Sequence, residues 1–165
     1  MALNPHFPPS PSLSGISSQR AHVLAHSVVT NLLESRKTGS YLYAPLNDSR
    51  AEIRLLEILP DSGVQTISCS LRSVSLQSNP EYVALSYTWG NPSSSRLIDI
   101  DGCPLPVTDN LYDFLRAMRI NRPKVALWVD QICINQKNLH EKSSQIRLIA
   151  DIYSSAQSVI AWLGE

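Results

Sequence analysis

Apolar positions along the chain change their spacing several times, and each change marks an element. Leu24, Val28 and Leu32 recur at i, i+4 and i+8, with Val29 and Leu33 beside them, which predicts an N-terminal helix within residues 20–39 that Gly39 stops. Residues 1–19 before it are rich in proline and serine and read as a disordered tail. "AEIRLLEIL" (51–59) then mixes apolar and charged residues. "VQTISCSLRSVSL" (64–76) alternates, with Val64, Thr66 and Ser68 on one parity and Ile67, Cys69 and Leu71 on the other. With Pro60-Asp61-Ser62-Gly63 as a turn, the two runs form an antiparallel hairpin.

From Tyr82 the pattern alternates between strand and helix. "YVALSY" (82–87) is a short apolar strand. "RLIDI" (96–100), Asp101-Gly102 and "CPLPV" (103–107) form a hairpin on a two-residue turn, and Pro104 and Pro106 push its second arm to a sheet edge. Leu111, Phe114, Leu115 and Met118 make the stripe of a helix capped by Thr108 or Asp109. "VALWV" (125–129) is the continuous apolar run of a strand covered on both faces. Asn138 and Glu141 have capping-box spacing, so a helix starts there, with Ile146, Ile149, Ala150, Tyr153 and Ala156 as its buried face. "SVIAWL" (158–163) reads as another buried strand. The sum is an α/β fold: an open, mostly parallel sheet with flanking helices, the N-terminal hairpin and the tail.

Composition narrows this little. At 165 residues, with 43% hydrophobic and 17% charged residues, the chain makes one domain with a sizeable core. Lys+Arg and Asp+Glu are both 14, and zero net charge argues against a nucleic-acid partner or a polybasic membrane surface while favouring self-association. No apolar run approaches the roughly 18 residues of a membrane span. Three widely spaced cysteines, Cys69, Cys103 and Cys133, read as reduced thiols.

Ligands of open α/β sheets sit beyond the carboxyl ends of the strands. Ser86, Trp89, Gly90 and Asp130 fall at such ends and are the candidate ligand pocket. Asp130 either accepts backbone N–H bonds from its own loop or serves a ligand. Trp89 either packs inward beside a turn at Gly90 or exposes its indole to a planar ligand. Cys133 is a small buried thiol unless a base lies near it, and His140 belongs to the exposed first turn of the next helix. No metal site is expected: no C-x-x-C pair occurs, and His22 and His26 lack a third ligand. Phosphate-cradling glycine loops and a nucleophile elbow are also missing.

Three stretches, "EYVALSYTWGN", "ALWVDQICINQKNLHEKSSQI" and "DIYSSAQSVIAWLGE", together resemble signature blocks of the fungal heterokaryon-incompatibility (HET) domain, over about residues 52–165. The motif residues that carry the resemblance are Tyr87, Trp128, Cys133, Asn135, Gln136, Glu141, Gln145, Tyr153, Trp162 and Gly164. The resemblance implies a HET-type α/β domain over residues 40–165 of a cytoplasmic fungal protein. Its role would be non-self recognition and programmed cell death, with itself or other HET-domain proteins as partners. The family is distantly similar to flavodoxin-like TIR domains, some of which cleave NAD, so NAD is the implied substrate of any activity. In the family pattern a Trp-rich segment ending Gln-Glu follows the third block, and its glutamate corresponds to the TIR catalytic acid. Glu165 is not that residue. The resemblance therefore implies a C-terminally truncated domain without the key acid, so that no enzyme activity is expected of this chain; the alternatives to the signalling role are a NAD-cleaving TIR-like hydrolase and a truncated inactive remnant that modulates full-length HET proteins.

Overall fold

The computed structural model describes residues 39, 41–60, 65–91, 93–121 and 125–164. The tail, the N-terminal helix, the 60–63 turn beyond Pro60 and Glu165 lie outside them. The elements are β1 (Glu52–Ile58), β2 (Ser68–Ser75), β3 (Val83–Tyr87), β4 (Ser95–Ile100), β5 (Cys103–Thr108), α1 (Asp109–Asn121), β6 (Ala126–Trp128), α2 (Asp130–Cys133), α3 (Leu139–Arg147), α4 (Ile149–Ser155) and β7 (Ser158–Trp162). The fold is α/β.

All the strands join one seven-stranded sheet in the order β5-β4-β2-β1-β6-β3-β7. β6, β3 and β7 run parallel, with Ala84 opposite Trp128 on one side and Leu85 opposite Ile160 on the other. The first of these three strands is the middle one, as at the start of doubly wound 2-1-3 sheets. The N-terminal hairpin is not an appendage to this trio. β1 pairs antiparallel with both β2 and β6, so it lies inside the sheet. The second hairpin joins the far side, where β4 runs parallel to β2. The sheet is therefore mixed, with its parallel part around β3.

Local chemistry explains several boundaries. Asp101 (φ 52°) and Gly102 (φ 82°) both take positive φ, as a type I′ turn requires, and Asp99 Oδ1 accepts the Gly102 N–H at 3.0 Å. β5, carrying both prolines, is the outermost strand on its side. Leu111, Phe114 and Leu115 of α1 are buried, and so is all of β6. Asn138 caps α3 by accepting the His140 and Glu141 N–H groups.

Two expectations fail. The helix after Asn138 breaks at Leu148 into α3 and α4. Across the break Ile146 is 54% exposed and Ala150 is also exposed, while Glu141, Ser144, Gln145 and Ile152 are buried. A single 3.6-residue periodicity does not survive a break that resets the helix phase. β7 is not a buried strand either. Among the described residues it pairs with β3 alone, with Val159 at 48% exposure and only Ile160 and Trp162 half-buried. An apolar run does not tell how many neighbours a strand has.

Candidate functional site

β3 and β6 end side by side, and the chain turns out of each into a polar loop. From β3 comes Trp89, 38% exposed. From β6 comes Asp130, the first residue of α2. The Trp89 indole Nε1–H donates to Asp130 Oδ2 at 2.9 Å, and the Gln131 N–H donates to Oδ1 at 2.7 Å. Burial pushes the Asp130 carboxyl above the usual carboxylate range, against these two bonds and the nearby Tyr87 hydroxyl, which favour its charge. The backbone-accepting reading of Asp130 describes what the carboxylate does here. It accepts the next backbone N–H, and it also holds a half-open indole at the rim. Trp89 does not pack into the core, because its polar edge is tied to the carboxylate instead.

Of the other candidates, Gly90 turns the chain with φ 75°, and a Cβ there would lie 3.7 Å from Asn110 Cβ. Ser86 is exposed on β3 opposite Ala161, and its hydroxyl has no hydrogen bond among the described residues. The rim thus brings together Trp89, Asp130 and Gly90, and leaves Ser86 outside their hydrogen bonds.

The motif residues make bonds that tie one block to another. The Tyr87 hydroxyl donates to Gln131 Oε1 at 3.2 Å, and the same oxygen accepts from the Thr108 hydroxyl. Gln136 Nε2 donates to the Asp130 carbonyl at 2.8 Å, closing the α2 loop. Tyr153 donates to the Leu85 carbonyl, and its ring meets Trp128 edge-on at 5.6 Å. Gln145 Nε2 donates to the Glu52 carbonyl. Trp162 Nε1 donates to Asn110 Oδ1 at 2.9 Å, while Asn110 Nδ2 donates to the Thr88 carbonyl at 2.6 Å. Gly164, at φ 94°, follows this junction. Asn110 therefore joins the ends of β3 and β7 from the first turn of α1.

Cys133 is fully buried. Its sulfur accepts the Val129 N–H at 3.3 Å, and desolvation pushes its thiol up to about 12. A thiol in that state supplies no thiolate near neutrality. His140 is exposed.

Sequence reasoning missed Arg54. It sits 2% exposed on β1, and its guanidinium grips Glu141 through two bonds, Nη1–Oε1 at 2.6 Å and Nη2–Oε2 at 3.0 Å. Nη1 also donates to the Cys133 carbonyl, and Nη2 to the Ala44 carbonyl; the Tyr43 ring lies 4.8 Å from Cζ. Glu141 Oε1 further accepts the Asn135 N–H at 2.7 Å. The capping box is thus only half formed. Asn138 caps, but the Glu141 carboxylate turns inward to a cation instead of back to the helix start. The one signal was an arginine among the apolar residues of "EIRLLEI".

A cavity of about 860 Å³ lies elsewhere, lined by Ile58, Val74, Pro80, Met118, Arg119 and Val125 among others. It opens at the amino ends of β3 and β6, away from the Trp89–Asp130 rim. Among the described residues no group of three or more His, Cys, Asp or Glu side chains could hold a metal ion, and no helix is long and apolar enough to cross a membrane.

Residues 82–165 match the family described as heterokaryon incompatibility protein (HET). The chain is 37% identical over 155 residues to heterokaryon incompatibility protein 6, OR allele, of Neurospora crassa; the match covers 86% of this chain and 23% of that protein. The chain thus spans about a quarter of the length of that relative. No solved structure matches it significantly.

Proposed function

This chain belongs to the heterokaryon incompatibility family, and on that premise we propose that it is a non-self-recognition module that signals programmed cell death in a fungal cytoplasm. Its proposed partners are further copies of itself or other members of the family. The match of residues 82–165 carries the reading, because all three motif blocks lie in one sheet and bond to one another. Induced expression of the chain in a filamentous fungus tests it. Loss of viability is expected, and growth equal to that of an empty-vector strain would count decisively against it.

An alternative is NAD cleavage at the Trp89–Asp130 rim. One observation favours it: an indole that a planar ring can stack on lies beside a carboxylate at the carboxyl ends of adjacent parallel strands. Incubating the purified chain with NAD and assaying free nicotinamide decides the matter. Release that Asp130→Ala abolishes would support this reading, and no release would remove it.

A further inference from the structure

Asp130 can meet the Trp89 indole only while its own backbone is held in place, and that hold comes from the far end of its loop. The Asp130 carbonyl accepts the Ile134 N–H at 3.3 Å and Gln136 Nε2 at 2.8 Å. The turn that carries both donors is itself gripped by the buried ion pair. Arg54 Nη1 donates to the Cys133 carbonyl, and the Asn135 N–H donates to Glu141 Oε1. The two gripped residues stand on either side of Ile134. Arg54 is fixed in turn. Both of its Nη groups are spent on Glu141, Cys133 and Ala44, and the Tyr43 ring lies 4.8 Å from Cζ.

We infer that Arg54 is a positioning residue for the Trp89–Asp130 rim. Together with Glu141 it fixes the 133–136 turn, and that turn keeps the Asp130 carboxylate on the indole. Arg54 acts through the turn, since its bonds go to Cys133, Glu141 and Ala44 and not to the rim. The role depends on the shape of the side chain as well as its charge. A guanidinium presents a planar fork of N–H donors that can hold a carboxylate and a carbonyl at once, whereas the compact ammonium of lysine cannot copy that geometry. The inference goes beyond the reading of the rim as a site of NAD cleavage: it concerns what holds the rim, not what binds there.

The Trp89 Nε1–H reports the rim directly. In heteronuclear NMR of the full chain it is the indole signal lost in Trp89→Phe, and its exchange with water is measured at one fixed pH. Asp130→Ala sets the rate of the unbonded indole. The wild type is expected to exchange at least about tenfold more slowly, because a bond to a carboxylate must open first. Arg54→Lys keeps the cation and is expected to move the rate most of the way to that of Asp130→Ala. The double variant Arg54→Met/Glu141→Leu separates positioning from stability. It removes both charges together and leaves the turn without either grip, so its indole is expected to exchange at least as fast as that of Arg54→Lys. Ile98→Val, a core change on β4 with β2 and β1 between it and β6, is expected to keep the wild-type rate. Wild-type exchange in Arg54→Lys or in the double variant overturns the inference. So does an Ile98→Val rate as fast as that of Arg54→Lys, or a wild type no slower than Asp130→Ala. The NAD assay is independent of all this. Nicotinamide release with unchanged exchange in Arg54→Lys would sink only the positioning role, and fast exchange without release would sink only the NAD reading.

Discussion

Arg54 and Glu141 show what a buried charge does when an opposite charge grips it, although Arg54 Nε is buried without a hydrogen-bond partner among the described residues. Each ion loses water, and only the bidentate geometry with the added bonds to the Cys133 carbonyl and Asn135 N–H offsets that cost. Removing one partner strands the other. Arg54→Met is expected to cost about 3–5 kcal/mol in urea unfolding, whereas the double variant Arg54→Met/Glu141→Leu should recover a substantial part of it. Equal losses for the single and double variants would show that the pair is not coupled. Asp130 makes a different prediction. Its folded carboxyl lies above its unfolded value of about 3.9, so the native state binds the proton more tightly. The stability from this proton is fully present below the unfolded value and is lost as pH rises through the folded one. Asp130→Asn should flatten that part of the stability–pH profile; Asp101, raised for the same reason, keeps its own share. An unchanged slope would place the Asp130 carboxyl in water. The bond from Asp130 to Trp89 could not be read from the sequence, because a side chain 41 positions away carries no local signal.

At the scale of elements, β6 is the shortest strand and the most enclosed. Trp128 is fully buried and packs edge-on against Tyr153, while the strand pairs with β1 on one side and β3 on the other. Trp128→Ala is expected to cost about 3–5 kcal/mol, measured by denaturant midpoint, since the surrounding strands cannot collapse into the space. A loss below about 1 kcal/mol would contradict its place in the core. Strands and α1 were legible because period-2 alternation, an Asp-Gly turn and an i, i+3, i+4, i+7 stripe are local consequences of backbone geometry. The α3–α4 face was not legible. Its inward positions are Glu141, Ser144 and Gln145, which meet Arg54, the Asp48 carboxylate and the Glu52 carbonyl from distant parts of the chain.

For the whole molecule, β1 binds the two halves. The family match begins at residue 82, yet β1 lies between β2 and β6 and supplies the cation for Glu141. A fragment beginning at residue 80 is therefore expected to lack a cooperative thermal transition, because β6 would become an exposed edge and Glu141 would be buried without its cation. A sharp melt of that fragment by circular dichroism would show that the β3, β6, β7 trio folds alone. The sequence by itself determined the α/β class, most strand positions and the motif blocks, since local periodicity and turn chemistry are written in neighbouring residues. It also placed Trp89, Gly90 and Asp130 at strand ends. Only the tertiary structure decided which strands are neighbours, that β7 pairs with β3 alone among the described residues, that Arg54 meets Glu141, and that motif side chains bond mainly to groups outside the motif set, such as Gln131, Arg54, Asn110 and the Leu85 carbonyl. Those outcomes depend on which distant groups leave water together, because burying a polar group costs free energy that a partner delivered by the fold offsets.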